Sequence, residues 1–182
     1  MIRSRKRRHQ GFTLIETMIA MVILAFGILS LSAVFTSGVQ TSYNSQIEFI
    51  AQQKAQEALE SMFTARDTHI LTWAQISNAS QGGVFIDGPR PMYGPGPDGI
   101  VGTADDDPNS PDTIVTGPGA DKIFGTSDDI QVNLNPWMTR TIAITQNVNG
   151  TQNLNLITIT ITYTYGGRTN TFVLQTYMSN YA

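Results

Sequence analysis

The chain contains no cysteine among its 182 residues. Disulfides, thiolate metal sites and a cysteine nucleophile are thereby excluded. An exported body would have to hold together by packing, or by metal bound through oxygen ligands. Histidine is nearly absent: His9 stands in the basic N-terminus and His69 alone in mid-chain. No Ser–His–Asp grouping can be drawn from that pair, and the glycine-rich stretches lack the Gly-Lys-Ser/Thr ending of a phosphate loop. The expectation is that the chain is not an enzyme. Proline is missing until Pro89, and charged residues make up only 14% of the chain. Between Glu16 and Glu48 there is no charged residue at all.

What charge there is lies unevenly. Five of the eleven basic residues (Arg3, Arg5, Lys6, Arg7 and Arg8) fall in the first eight positions. Residues 12–182 carry 6 basic and 14 acidic side chains, a formal charge of −8, against −3 for the whole chain. Eight of the acids fall between Asp98 and Asp129. An acidic body without a basic cluster does not suit phosphate contacts, so no nucleic-acid partner is expected. The abundant Thr, Asn, Gln, Ser and Gly suit a polar, strand-rich extracytoplasmic domain.

Met18 to Phe35 is built of Ile, Leu, Val, Met, Phe and Ala, interrupted only by Gly27, Ser30 and Ser32. As a helix such a run reaches roughly 27 Å, close to the thickness of a bilayer's hydrocarbon core. The basic residues before it place the N-terminus in the cytoplasm and send the body across the membrane. A secretory signal would carry a small-residue cleavage site after the apolar run. None is convincing here. The punctuation comes before the run instead, as Gly11-Phe12-Thr13-Leu14-Ile15-Glu16, with a carboxylate at the head of an apolar segment. An unpaired charge in lipid costs several kcal/mol, so such a residue marks function.

A short basic leader ending in Gly, then Phe, then Glu at the fifth position after the Gly, then a long apolar helix: this resembles the N-terminal signal of type IV pilins and pseudopilins. Its core reads GFTLIETMIAMVILAFGIL. The resemblance implies that a prepilin peptidase cuts between Gly11 and Phe12 and methylates the new amine of Phe12. It also implies that Glu16 neutralises the Phe12 amine of a neighbouring subunit, a pairing in low dielectric that tolerates both charges better than either alone. The partners so implied are the peptidase, other major and minor pilins, an inner-membrane assembly platform and membrane lipid. The implied location is the bacterial inner membrane, single-pass with the body periplasmic, and then the pilus. The chain departs from major pilins in lacking both a proline within the apolar helix and a C-terminal cysteine pair. Both departures point to a minor pilin, resembling the class once described as pilus-modification proteins, or to a minor pseudopilin of a type II secretion system.

Beyond the apolar run, Ile47, Ile50, Ala51, Ala55, Ala58, Leu59 and Met62 recur at three- and four-residue spacings. One helix is predicted from about Phe12 to Thr64, loosened near Gly38, with a single stripe on its second half. From Thr139 to Tyr177 the period changes to two, giving three strands. Asn149-Gly150 and Gly166-Gly167 supply turn signals. Leu154 and Leu156 have the opposite parity to Ile157, which predicts a bulge there. The fold class expected is α+β, pilin-like, with the helix's second half packed on a C-terminal antiparallel sheet. The segments are a leader (1–11), an assembly half (12–38), an amphipathic half (39–66), a loop region (67–138) and the sheet (139–182). Trp73 and Trp137 are expected to pack.

Inside the loop region lies an internal repeat. Residues 94–106 align with 117–129 and are identical at nine of thirteen positions, including three Asp in each copy. Gly and Pro fix tight turns, while Asp supplies hard oxygen ligands for a cation such as Ca²⁺. The run is not an EF-hand loop. Two readings stay open: Asp98, Asp105, Asp106, Asp121, Asp128 and Asp129 bind calcium, or they cap solvated surface turns. Calcium binding would also allow a surface binding or adhesion module carried on the stalk.

Overall fold

The computed structural model describes residues 12–135 and 137–181. They form two compact units that meet in sequence at Ser45 and Gln46. A single helix, α1 (Leu14–Asp67), contributes to both. It is unbroken at Gly38, so the loosening expected there does not occur. In the first unit every described side chain is exposed.

In the second unit α1 buries Ile47, Ala51, Ala55, Ala58, Met62 and Ala65. Their three- and four-residue spacing keeps them on one face, and four of the six are Ala, which lets a neighbouring backbone come close. The helix ends at His69, whose φ of 58 is the left-handed conformation that stops a helix. The amide of Leu71 then turns back to the carbonyl of Ala65 at 3.1 Å.

Six strands follow: β1 (Arg90–Pro91), β2 (Thr113–Gly117), β3 (Ile130–Asn133), β4 (Met138–Thr145), β5 (Leu154–Tyr165) and β6 (Arg168–Ser179). A four-stranded sheet runs β1-β4-β5-β6, and β2 and β3 form a separate ribbon. All pairs are antiparallel. The inward row of β5, Ile157, Ile159, Ile161 and Tyr163, shares one core with Ile142 and Ile144 of β4 and the buried face of α1. The outward row is threonine-rich. This is the helix-on-sheet α+β architecture the sequence predicted.

Two local expectations fail. The register of β5 is continuous and its burial alternates from Leu154 onward, so there is no bulge. Instead the inward position between the two leucines is filled by Asn155, buried with its amide donating to the Ile76 carbonyl at 3.1 Å. Nor do Asn149 and Gly150 form a two-residue hairpin. They lie in a 3-10 turn (Val148–Gly150) within a longer connection that also holds Asn147 left-handed. Gly166 and Gly167 do close β5 to β6 directly, at φ of 58 and 76, the turn geometry that follows strand twist.

The segment between helix and sheet is more than loop. Ile76, Phe85, Met92, Ile100, Val101 and Leu134 are all fully buried in the core. Asn78 completes the ladder of β4: its side-chain amide donates to the Ile142 carbonyl at 2.8 Å and accepts from the Ile144 amide at 2.7 Å. Trp73 and Trp137 pack partly buried against the same core.

Candidate functional site

The first candidate is the head of α1. Gly11 and the basic leader lie outside the described residues. Phe12 is exposed, and the helix starts two residues later. Thr13 caps it: the Glu16 amide donates to both the Thr13 carbonyl at 3.1 Å and the Thr13 hydroxyl at 3.3 Å. A Ser/Thr with Glu three positions on is a natural helix start, and a carboxylate in the first turn is favoured by the helix dipole. That accounts locally for Glu16 being tolerated at this place. Among the described residues its carboxylate has no ion-pair partner.

The helix behind Glu16 is apolar all round, with a mean hydropathy of 2.6 over its most apolar 18-residue window. From Thr17 to Thr36 its hydroxyls are satisfied within it. Ser30, Ser32, Thr36, Thr41 and Ser45 each donate to the carbonyl four residues back, at 2.8–3.1 Å. Over residues 17–36 no side-chain polar group is left needing water, which is what a bilayer interior requires of a spanning helix, whereas Ser37, Gln40, Ser42, Tyr43 and Asn44 beyond it are exposed. One apolar helix of spanning length is therefore present near the N-terminus.

The second candidate is the acidic repeat, and its two copies fold bond for bond alike. Asp98 Oδ1 accepts from the Ile100 amide at 2.8 Å, and Asp121 Oδ1 from Ile123 at 2.8 Å. Asp106 Oδ2 holds the Gly102 amide at 2.7 Å, and Asp129 Oδ2 the Gly125 amide at 2.7 Å. The Thr103 hydroxyl donates to Asp105 at 2.6 Å, and that of Thr126 to Asp128 at 2.7 Å. Gly96 and Gly119 are required where they stand, because an added Cβ would run into the Asp105 and Asp128 backbones respectively. These hydrogen bonds set the charges. The Thr103 hydroxyl holds Asp105 below its ordinary value despite some burial, and the Thr126 hydroxyl does the same for Asp128. Burial pushes Asp106 up, opposed by the Gly102 amide and the Arg140 charge.

All six predicted carboxylates are thus spent on turning the chain, as Asx-type caps. Among the described residues no three Asp, Glu or His side chains gather as a metal-holding group.

A third cluster had no sequence signal. Lys54 of α1 is paired with Asp112 at 2.6 Å and with Glu57 at 2.8 Å. Burial works against the Lys54 charge, yet the hydrogen bonds to Asp112 and Glu57 win and raise its pKa. Arg140 of β4 is buried and donates to the Tyr93 carbonyl at 3.2 Å. Burial lowers its pKa, and Asp112, Asp106 and Glu57 oppose that. The cluster ties helix, loop region and sheet together, and its charges offset one another.

Comparison with known proteins bears on the first candidate alone. Residues 6–32 match the prokaryotic N-terminal methylation motif. No curated protein and no solved structure matches the chain. The motif, the single apolar helix and the helix-on-sheet fold are together consistent with a type IV pilin or pseudopilin.

Proposed function

We propose that this chain is the precursor of a minor type IV pilin, which after processing takes part in priming, assembling or capping a pilus. The observation that carries the reading is the match of residues 6–32 to the methylation motif, which covers the start of an apolar helix of spanning length. In this reading the chain performs no catalysis. A prepilin peptidase at the cytoplasmic face cuts after Gly11, where no side chain obstructs the scissile bond, and methylates the Phe12 amine. The subunit waits in the inner membrane with its body outside the cytoplasm. It enters the fibre when its apolar helix exchanges lipid for the helices of other pilins. Glu16, already placed by its cap in the first helical turn, then faces a neighbour's Phe12 amine.

The test is the N-terminal residue and mass of the protein in purified pili. N-methylated phenylalanine is expected, and Glu16→Ala should reach the membrane but not the fibre. Retention of the leader in cells with active peptidase would refute the reading, as would normal incorporation of Glu16→Ala.

A further inference from the structure

The two copies of the repeat share one set of internal hydrogen bonds but differ in what their tips meet. In the first copy Ile100 and Val101 are each only 1% exposed. Gly102 brings this tip against the side chains of Ile142 and Phe85. Its carbonyl accepts from the Ile86 amide at 2.9 Å. Asp106, beside the tip, feels the positive charge of buried Arg140. The copy is a turn pressed by its apolar point against Phe85 and Ile142, with the Ile86 amide as a backbone donor.

The second copy presents the same point to solvent. Ile123 and Phe124 are 61% and 65% exposed, and Ile130 next to them is 57% exposed. Gly125, the counterpart of Gly102, has nothing within 4 Å of where its Cβ would be. Among the described residues its carbonyl receives no backbone donor. Asp129, the counterpart of Asp106, has a buried Oδ1 without a hydrogen-bond partner. The Ile86 amide and the Ile142 and Phe85 side chains that meet the first copy have no counterpart against the second among the described residues, while the fold of the motif is retained.

We propose that the second copy is a docking knob: Ile123 and Phe124 insert into an apolar pocket on a different protein, with a basic side chain of that protein facing Asp129. The first copy shows what such a pocket contains. Another copy of this chain fits poorly, because its own pocket of that kind is already filled by Ile100 and Val101. Of its basic side chains Lys54 and Arg66 are in ion pairs, Arg140 is buried and Lys122 lies on the knob, while Arg90 and Arg168 are exposed, so it is the filled pocket and not charge that sets a second copy apart. An anionic lipid surface is disfavoured, since Asp121, Asp128 and Asp129 surround the apolar point against the single charge of Lys122. Contiguous exposed apolar side chains inside a polar rim are the usual mark of a protein contact. The inference stands whether or not the chain is a pilin.

The experiment places the photo-crosslinker p-benzoylphenylalanine at position 124 of the full chain, in the cells that make it, and maps the adducts by peptide mass. A control carries the crosslinker at Val173, which is also exposed. The expected adduct joins position 124 to an apolar peptide of a second protein with Lys or Arg close by. Ile123→Ser should lower its yield about tenfold, the equivalent of one large apolar side chain. Asp129→Asn, which keeps an oxygen to accept from Gly125, should lower it several-fold. Both variants should melt like the parent, because Ile123 is exposed and the Asn retains the cap. Adducts only to lipid, only to a second copy of the chain, or no stronger than at Val173 overturn the proposal. So does a protein adduct indifferent to either substitution.

Discussion

Ile100 and Ile123 are the same residue in the same hydrogen-bonded turn, separated only by burial, so truncating each to Ala isolates what burial contributes. Both amides donate to an Asp two residues back at 2.8 Å, and Ala at either place leaves that bond intact. Ile100 is 1% exposed and Ile123 is 61% exposed. Ile100→Ala therefore loses apolar transfer energy and opens a cavity beneath the first copy, at a cost of about 2–5 kcal/mol. Ile123→Ala should fall within about 0.5 kcal/mol of the parent, as exposed substitutions usually do. For a body of this size that separates the two melting temperatures by roughly 5–15 °C. The assay is urea and thermal unfolding of the full chain in detergent, followed by the emission of Trp73 and Trp137, which pack against the core. Equal losses would refute the reasoning, because the two copies would then be seated alike.

Three further outcomes are expected. Asp112→Asn leaves Lys54 and Arg140 buried with less compensation and should cost about 3 kcal/mol by urea unfolding; a loss below about 1 kcal/mol would show that Glu57 suffices. Asn78→Ala strips partners from the Ile142 carbonyl and Ile144 amide, both in buried β4, and should cost about 2–4 kcal/mol, with faster exchange of the Ile144 amide. By carboxyl NMR, Asp105 and Asp128 should titrate below their ordinary 3.8 and Asp106 above it. The stabilisation from Asp105 and Asp128 is present above 3.8 and is lost as pH falls through their folded values, whereas that from Asp106 is largest below 3.8 and is lost as pH rises through its folded value. Titration of Asp105 and Asp128 with Asp106, without separation, would contradict the hydrogen-bond pattern.

The parts of the fold that were legible are those written as a period along the chain. A charge-free run between Glu16 and Glu48 and a stripe from Ile47 to Met62 announce one helix. Strict alternation from Ile157 to Tyr163 announces a strand. What stayed hidden depends on partners distant in sequence. A bulge looked necessary because leucine normally outranks asparagine for an inward position. Asn155 takes that position because the Ile76 carbonyl, 79 residues earlier, receives its amide. Lys54 and Asp112 lie 58 residues apart, and nothing local marks either as half of an ion pair. The repeat was readable as a repeat, with cation ligands and turn caps both open for its Asp side chains. That one copy is a plug in the core and the other an open tip was not readable, since only the surroundings differ.

The same limit applies to α1, with consequences for how assembly is controlled. Over residues 14–36 its side chains are exposed, and the hydroxyls of Thr17, Ser30, Ser32 and Thr36 are bonded to its own backbone. Such a surface gains nothing from hydrogen bonding with its surroundings. Acyl chains and the side chains of like helices are equally apolar, so leaving lipid for a fibre changes little in hydrophobic terms. The preference between the two must come from packing and from whatever differs between the two environments. Over residues 14–45 the one charged group that can register a difference is Glu16. In the proposed function that carboxylate pairs with a neighbouring subunit's amine in the fibre, a partner that lipid does not supply. On this reading the apolar helix provides permission for both states, and the choice between them rests on the single carboxylate of Glu16 in the first turn that Thr13 caps.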